Sequence, residues 1–203
     1  MSIDSLRGRL TAIADAIRAK TGRPDKMTLD DMPLEIGMIQ SGGGDDGSFK
    51  AVIERTAVNP TLPSDLTSIG SYAFHMCDSL ALTSLPAGVT AIEQYAFRNC
   101  SKLALTSLPA GITTIGNYAL YGCTVLALTS LPASVMTIGR QALASCRGIK
   151  SLTFEGTPSS ISSDAFQSCN NLRTINVPWA EGEVSGAPWS ATNATINYNY
   201  TGG

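Results

Sequence analysis

The stretch LPAGITTIGNYALYGCTVLALTS fills residues 108–130, directly after LPAGVTAIEQYAFRNCSKLALTS at residues 85–107. The two are nearly one sentence, and the register continues on both sides of them. Leu62, Leu85, Leu108 and Leu131 stand 23 residues apart, as do Cys77, Cys100, Cys123, Cys146 and Cys169, which are all five cysteines of the 203-residue chain. Further columns keep step: Ile69, Ile92, Ile115, Ile138 and Ile161; Ala73, Ala96, Ala119, Ala142 and Ala165; Phe74, Phe97, Leu120, Leu143 and Phe166. Leu80, Leu103, Leu126, Ile149 and Leu172 form another. Five copies without an insertion mark a repeat architecture. One copy cannot close a core alone, so neighbours must stack and share it, which predicts a solenoid.

Within a copy, Ile69, Ala73, Phe74 and Cys77 fall at i, i+4, i+5 and i+8, the spacing of one helix face. Ser71, Tyr72 and His75 then point outward. The run from Leu80 to Leu85 is apolar and Pro86 ends it, since proline has no N–H for a ladder. Each copy therefore reads as a short strand, a turn, an extended segment and a short helix, with the strands stacked in parallel. One facing is open: Thr83, Thr106 and Thr129 stand where Leu152 and Ile175 stand later, so either they or Leu82, Leu105 and Leu128 face the core.

The segments SLPAGITTIGNYALYGC, SIGSYAFHMC and AIEQYAFRNC resemble the BspA-like leucine-rich repeats over about residues 50–178. The resemblance implies an α/β leucine-rich-repeat solenoid of five 23-residue repeats, short parallel strands plus short helices, at residues 62–178. Leu120 and Leu143 depart from the family's phenylalanine, and Ser162 from the glycine after the isoleucine.

Buried free thiols in a ladder are the favoured reading of the cysteine column, with cysteine as a small apolar space-filler. In-register side chains point the same way and five is an odd count, which argues against disulfides. A linear column also spreads its sulfurs instead of converging them on one metal ion. The formal net charge is −2 and the sequence pI about 5.3, with no basic stripe to attract nucleic acid. No apolar run reaches the ~18 residues of a membrane span. The N-terminus carries Asp4, Arg7, Arg9 and Asp15 and lacks the apolar core of a secretory signal.

The ends differ from the middle. Ile3, Leu6, Leu10, Ile13 and Ile17 follow a 3-4-3-4 seam, which predicts a helix over residues 3–20 that self-associates or docks onto another protein, an intrachain hairpin with the next helix being the alternative. A second helix is expected at 28–39, opened by a Thr28 cap. Residues 1–40 thus form a helical attachment segment and 41–48 a Gly/Asp-rich linker. Residues 49–61 hold a capping strand, FKAVIERT at 49–56, and residues 179–203 a C-terminal capping strand region. The segment LTAIADAIRAKTGRPDKMTLDDMPLEI resembles the N-terminal part of tail-associated proteins of phages and prophages, and GAPWSATNATINYNY the strand that closes such repeats. That resemblance implies a virion tail protein, made in the bacterial cytoplasm, which contacts other tail or baseplate proteins through its N-terminal helix.

Catalysis finds little support. His75 is the chain's single histidine, and Cys77 lies on the opposite face from it. The repeat carboxylates Asp65, Asp78, Glu93, Glu155 and Asp164 share no column. No phosphate-loop pattern occurs. A non-catalytic module without cofactor or metal is therefore expected. What varies between copies is surface: Tyr72, Tyr95 and Tyr118 form one outward column, and His75, Arg98 and Tyr121 the next. Such rows can anchor a bacterial surface glycan or protein. The favoured reading is that they stack on one another and merely shield the core. An intracellular protein-interaction module is the alternative to a tail protein.

Overall fold

The computed structural model describes residues 59, 60 and 62–202. The helices expected at 3–20 and 28–39, the linker at 41–48, the strand at 49–56 and the seam residues Ile3, Leu6, Leu10, Ile13 and Ile17 lie outside the described residues.

The chain winds as a β-solenoid of about six turns. Among the described residues nine short strands build two parallel sheets. The first joins β1 (Ser68–Ile69), β2 (Ala91–Ile92), β3 (Thr114–Ile115), β5 (Thr137–Ile138) and β7 (Ser160–Ile161). The second joins β4 (Ser130–Leu131), β6 (Ser151–Phe154), β8 (Thr174–Asn176) and β9 (Thr195–Asn197). In the first sheet each pair keeps the 23-residue register, as in Ile92 against Ile115. Only the last pair differs, with Ile175 against Ile196, because the final turn is two residues shorter.

The core columns are where the spacing puts them. Ile115, Ala119, Leu120, Cys123 and Leu126 are fully buried, as are their equivalents in the neighbouring copies. The expected helices, however, are not formed: the segment from Ile69 to Cys77 is a chain of turns, and no helix occurs among the described residues. The hydrogen bonds show why. Ala73, His75 and Cys77 donate their N–H groups three residues back, to Gly70, Tyr72 and Phe74. Tyr72, Phe74 and Met76, alternating with them, donate forward to Gln94, Ala96 and Arg98 of the next coil. Helical i to i−4 bonding would consume these forward donors. Alternation instead requires left-handed backbone at two residues in each of the first four copies and at one in the fifth. Tyr72, Tyr95, Tyr118 and Gln141 have φ of 62°, 57°, 56° and 48°, and Met76, Asn99, Gly122, Ser145 and Ser168 form the second such column. Each non-glycine residue in this region costs on the order of 1 kcal/mol, which the inter-coil bonds must offset.

The expected strand at 80–85 also needs correction. In the first two copies that run carries no strand; its coils are linked there by single bonds such as Ala104 N–H to the Leu82 carbonyl. Two consecutive exposed residues, Thr83 and Ser84, break the alternation a strand needs. The open facing resolves in two ways. Leu82, Leu105 and Leu128 are buried while Thr83, Thr106 and Thr129 are exposed. One copy later the column that held threonine turns inward as Leu152 and Ile175, and the period-2 run Leu152-Thr153-Phe154 pairs as β6. The second sheet thus begins where the sequence changes from LALTSLP to IKSLTF. Along its polar side Asn197 Nδ2 donates to Asn176 Oδ1 at 2.8 Å, and Asn176 Nδ2 to Thr153 Oγ1 at 3.1 Å.

The C-terminal end is closed by aromatics. Trp189 stands 23 residues after Phe166, is fully buried, and its carbonyl accepts the Phe166 N–H at 3.0 Å, so it continues the phenylalanine column into a degenerate last turn. Phe154 and Trp179 pack against it.

Candidate functional site

The outward columns lie on the turn segment, next to the forward hydrogen bonds that fix their backbone. Since each tyrosine takes the same left-handed conformation one coil apart, the rings must stack. Tyr72 and Tyr95 have centroids 4.7 Å apart at 17°, and Tyr95 and Tyr118 5.0 Å apart at 4°. The Arg140 guanidinium sits 6.0 Å from the Tyr118 centroid and extends the pile. The fourth and fifth members of the column are Gln141 and Asp164. Asp164 accepts hydrogen bonds from Ser162 Oγ at 2.8 Å, the Gln141 backbone at 3.3 Å, Gln141 Nε2 at 3.2 Å and Arg140 Nε at 3.4 Å. Burial pushes the Asp164 carboxyl up, but these bonds outweigh it and hold it below its ordinary value of 3.8.

The neighbouring column is His75, Arg98 and Tyr121. The Arg98 guanidinium lies 5.8 Å from the Tyr95 centroid and 5.4 Å from that of Tyr121. Its Nη1 is 3.1 Å from His75 Nε2. Arginine only donates, so this histidine nitrogen is the acceptor and carries no proton. All six residues predicted as ligand contacts thus form one contiguous lattice, half-buried except for the more exposed Tyr72. Arg140 belongs to the same lattice and was missed from sequence. Its signal was weak: the column Ser71, Gln94, Asn117, Arg140 varies in character, and only stacking on Tyr118 reveals the link.

None of the five cysteines is in a disulfide, and all are buried. They are more than space-fillers. Cys100 Sγ donates to the Phe74 carbonyl at 2.8 Å, Cys123 to Phe97 at 3.1 Å, Cys146 to Leu120 at 3.1 Å and Cys169 to Leu143 at 3.0 Å. Each thiol ties its coil to the one before. Burial pushes all four thiols up, Cys169 to about 11 and the others further, so they are protonated and unreactive as nucleophiles. Among the described residues no group of three or more His, Cys, Asp or Glu could hold a metal ion. An open depression at the first copies, lined by Asn59, Leu62, Leu82, Thr83, Ser84 and Pro86, has no titratable side chain on its walls among the described residues.

Residues 48–178 match the BspA type leucine rich repeat region in six copies. Among solved structures, the chain is similar to a leucine-rich repeat protein from Bacteroides ovatus ATCC 8483, at 28% identity and a TM-score of 0.53, covering 60% of this chain and 32% of that one. It therefore spans about a third of that protein's length. It is also similar to the leucine rich repeat protein of T. pallidum, at 30% identity and a TM-score of 0.55, covering 70% of each chain. No curated protein matches it. These likenesses indicate no enzymatic family.

Proposed function

Because the chain belongs to the BspA-type leucine-rich repeat family, we propose that it is a non-catalytic binding module whose tyrosine–arginine face meets a bacterial surface glycan or protein. The observation that carries this is the lattice of Tyr72, Tyr95, Tyr118, His75, Arg98 and Tyr121: a rigid, repeated surface in which each side chain is fixed by a neighbour one coil away. Rigid aromatics and arginines are what anchors of recognition surfaces are made of, since little side-chain entropy remains to be lost. The setting we propose is the tail of a phage or prophage virion. Its support is the resemblance of LTAIADAIRAKTGRPDKMTLDDMPLEI to the N-terminal part of tail-associated proteins, with the seam from Ile3 to Ile17 joining copies, as a trimer, or holding other tail or baseplate proteins.

The test is binding of the purified chain to intact bacterial cells and isolated wall glycans. Tyr118→Ala should weaken binding by about thirtyfold, the effect of losing one central anchor. Undiminished binding by both Tyr118→Ala and Arg98→Ala would remove this face from consideration. A well-folded chain that binds no cell surface would favour an intracellular protein-interaction module instead.

A further inference from the structure

Building on the tyrosine–arginine face as the binding surface, we infer that its ligand is an anionic polymer bearing phosphodiester or carboxylate groups, not a neutral sugar stacked on aromatic rings. Inside the row, at Tyr95 and Tyr118, the ring faces are already taken. Tyr95 is sandwiched between Tyr72 and Tyr118, and Arg140 lies over Tyr118. A sugar that needs a ring face finds it occupied there. The free parts are hydroxyls and ring edges, and ring edges carry the positive side of the aromatic quadrupole.

Arg98 supplies the second observation. A guanidinium has five N–H donors. Arg98 spends one on His75, and its Nε is buried without an acceptor. No carboxylate pairs with it among the described residues, whereas Arg140 has Asp164. Wedged between Tyr95 and Tyr121, it is a rigid and partly desolvated cation with donors left over. An incoming anion would accept from the Nη donors that His75 does not use; the buried Nε adds to the desolvation of the cation and is out of the ligand's reach.

His75 makes the ligand class readable by pH. Among the groups facing it are the Arg98 guanidinium, the Tyr72 ring at 5.7 Å and the Tyr95 ring at 6.4 Å, both edge-on, and Asp78 lies three residues along its own segment. A protonated ring can no longer accept from Arg98, and the two adjacent cations then favour an anion between them. Anion binding therefore favours the protonated imidazole. Affinity should therefore rise as pH falls, because the bound anion favours the added cation. One partly exposed ion pair corresponds to roughly fivefold in affinity.

The experiment titrates the full chain with fluorescent poly(glycerol phosphate), polygalacturonate and dextran near pH 5.5 and 7.5, at low and high salt, beside intact cells. At least one polyanion should bind about fivefold tighter at the lower pH and weaken with salt, while dextran does not bind; which polyanion binds identifies the acid group. His75→Gln should flatten the pH dependence. Arg98→Gln, checked for folding by circular dichroism, should cost at least about tenfold. Dextran binding as well as the polyanions, or polyanion affinity flat with pH and salt in the unmutated chain, would overturn the inference. Cell binding that depends on Tyr118 without any polyanion binding sinks the ligand class but leaves the surface standing. Binding to neither cells nor polymers sinks both.

Discussion

Cys123→Ala should destabilise the chain near neutral pH, and by less at alkaline pH. Cys123 is fully buried and its thiol donates to the Phe97 carbonyl at 3.1 Å. Losing the sulfur forfeits roughly 1 kcal/mol of apolar transfer. The cavity left behind, about 20 Å³, adds roughly 0.5 kcal/mol at 24 cal/mol per Å³. The lost thiol bond adds roughly 0.5 kcal/mol, and no more, because the Phe97 carbonyl keeps the Cys100 N–H at 3.1 Å. The expected cost is therefore about 2 kcal/mol. Burial also raises the Cys123 thiol well above its ordinary value of 9.0. A group raised in the folded state contributes fully below its unfolded value, and that contribution is lost as pH rises through its folded value. As pH rises past 9.0 the unfolded thiol ionises first, which destabilises the parent chain and leaves the variant untouched. The other thiols and the tyrosines titrate alike in both proteins. Urea unfolding of the two chains, followed by circular dichroism near pH 7 and pH 10.5, measures the difference directly. A gap of the same size at both pH values would refute the buried, protonated thiol, and no gap near pH 7 would refute its packing.

A thiol reagent should find almost no reactive cysteine in the native chain and five after denaturation; fewer would reveal a disulfide. Leu128→Ala and Leu152→Ala should each cost about 3 kcal/mol, whereas Thr129→Ala should fall within about 0.5 kcal/mol, and equal costs at 128 and 129 would overturn the inward facing of Leu128. Trp189→Ala should cost about 4 kcal/mol and expose amides of the final turns first in hydrogen exchange; protection there unchanged from the parent would mean the turn closes by other means.

Periodicity carried the solenoid, since a column such as Ile69 to Ile161 requires only that coils stack in register. It could not distinguish a helix from a chain of turns. Ala73, Phe74 and Cys77 point inward in either, and what decides between them is the destination of the Tyr72, Phe74 and Met76 N–H groups, which lies in the next copy. No tyrosine or methionine advertises left-handed backbone; only Gly122, standing in the column of Met76 and Asn99, hinted at it. The thiol acceptors were hidden for the same reason, being carbonyls 26 residues away. The tyrosine row was legible as a column, yet its stacked geometry depends on that unforeseen backbone. Trp189 could have been found by counting 23 from Phe166, but its surroundings share too little with the other copies to attract notice.

The two-way traffic of backbone bonds has a mechanical consequence. Turn segments donate to the following coil and strand segments, such as Glu93 to Ile69, to the preceding one. An end coil is held on one side alone, while every inner coil is held on both. Tension applied at a terminus should therefore peel the rod from its tip in discrete steps. Each step frees 23 residues, about 80 Å of contour at roughly 3.4 Å per residue. A force–extension trace would show a sawtooth of that spacing, and the central coils bearing Tyr95 and Tyr118 would be among the last to let go.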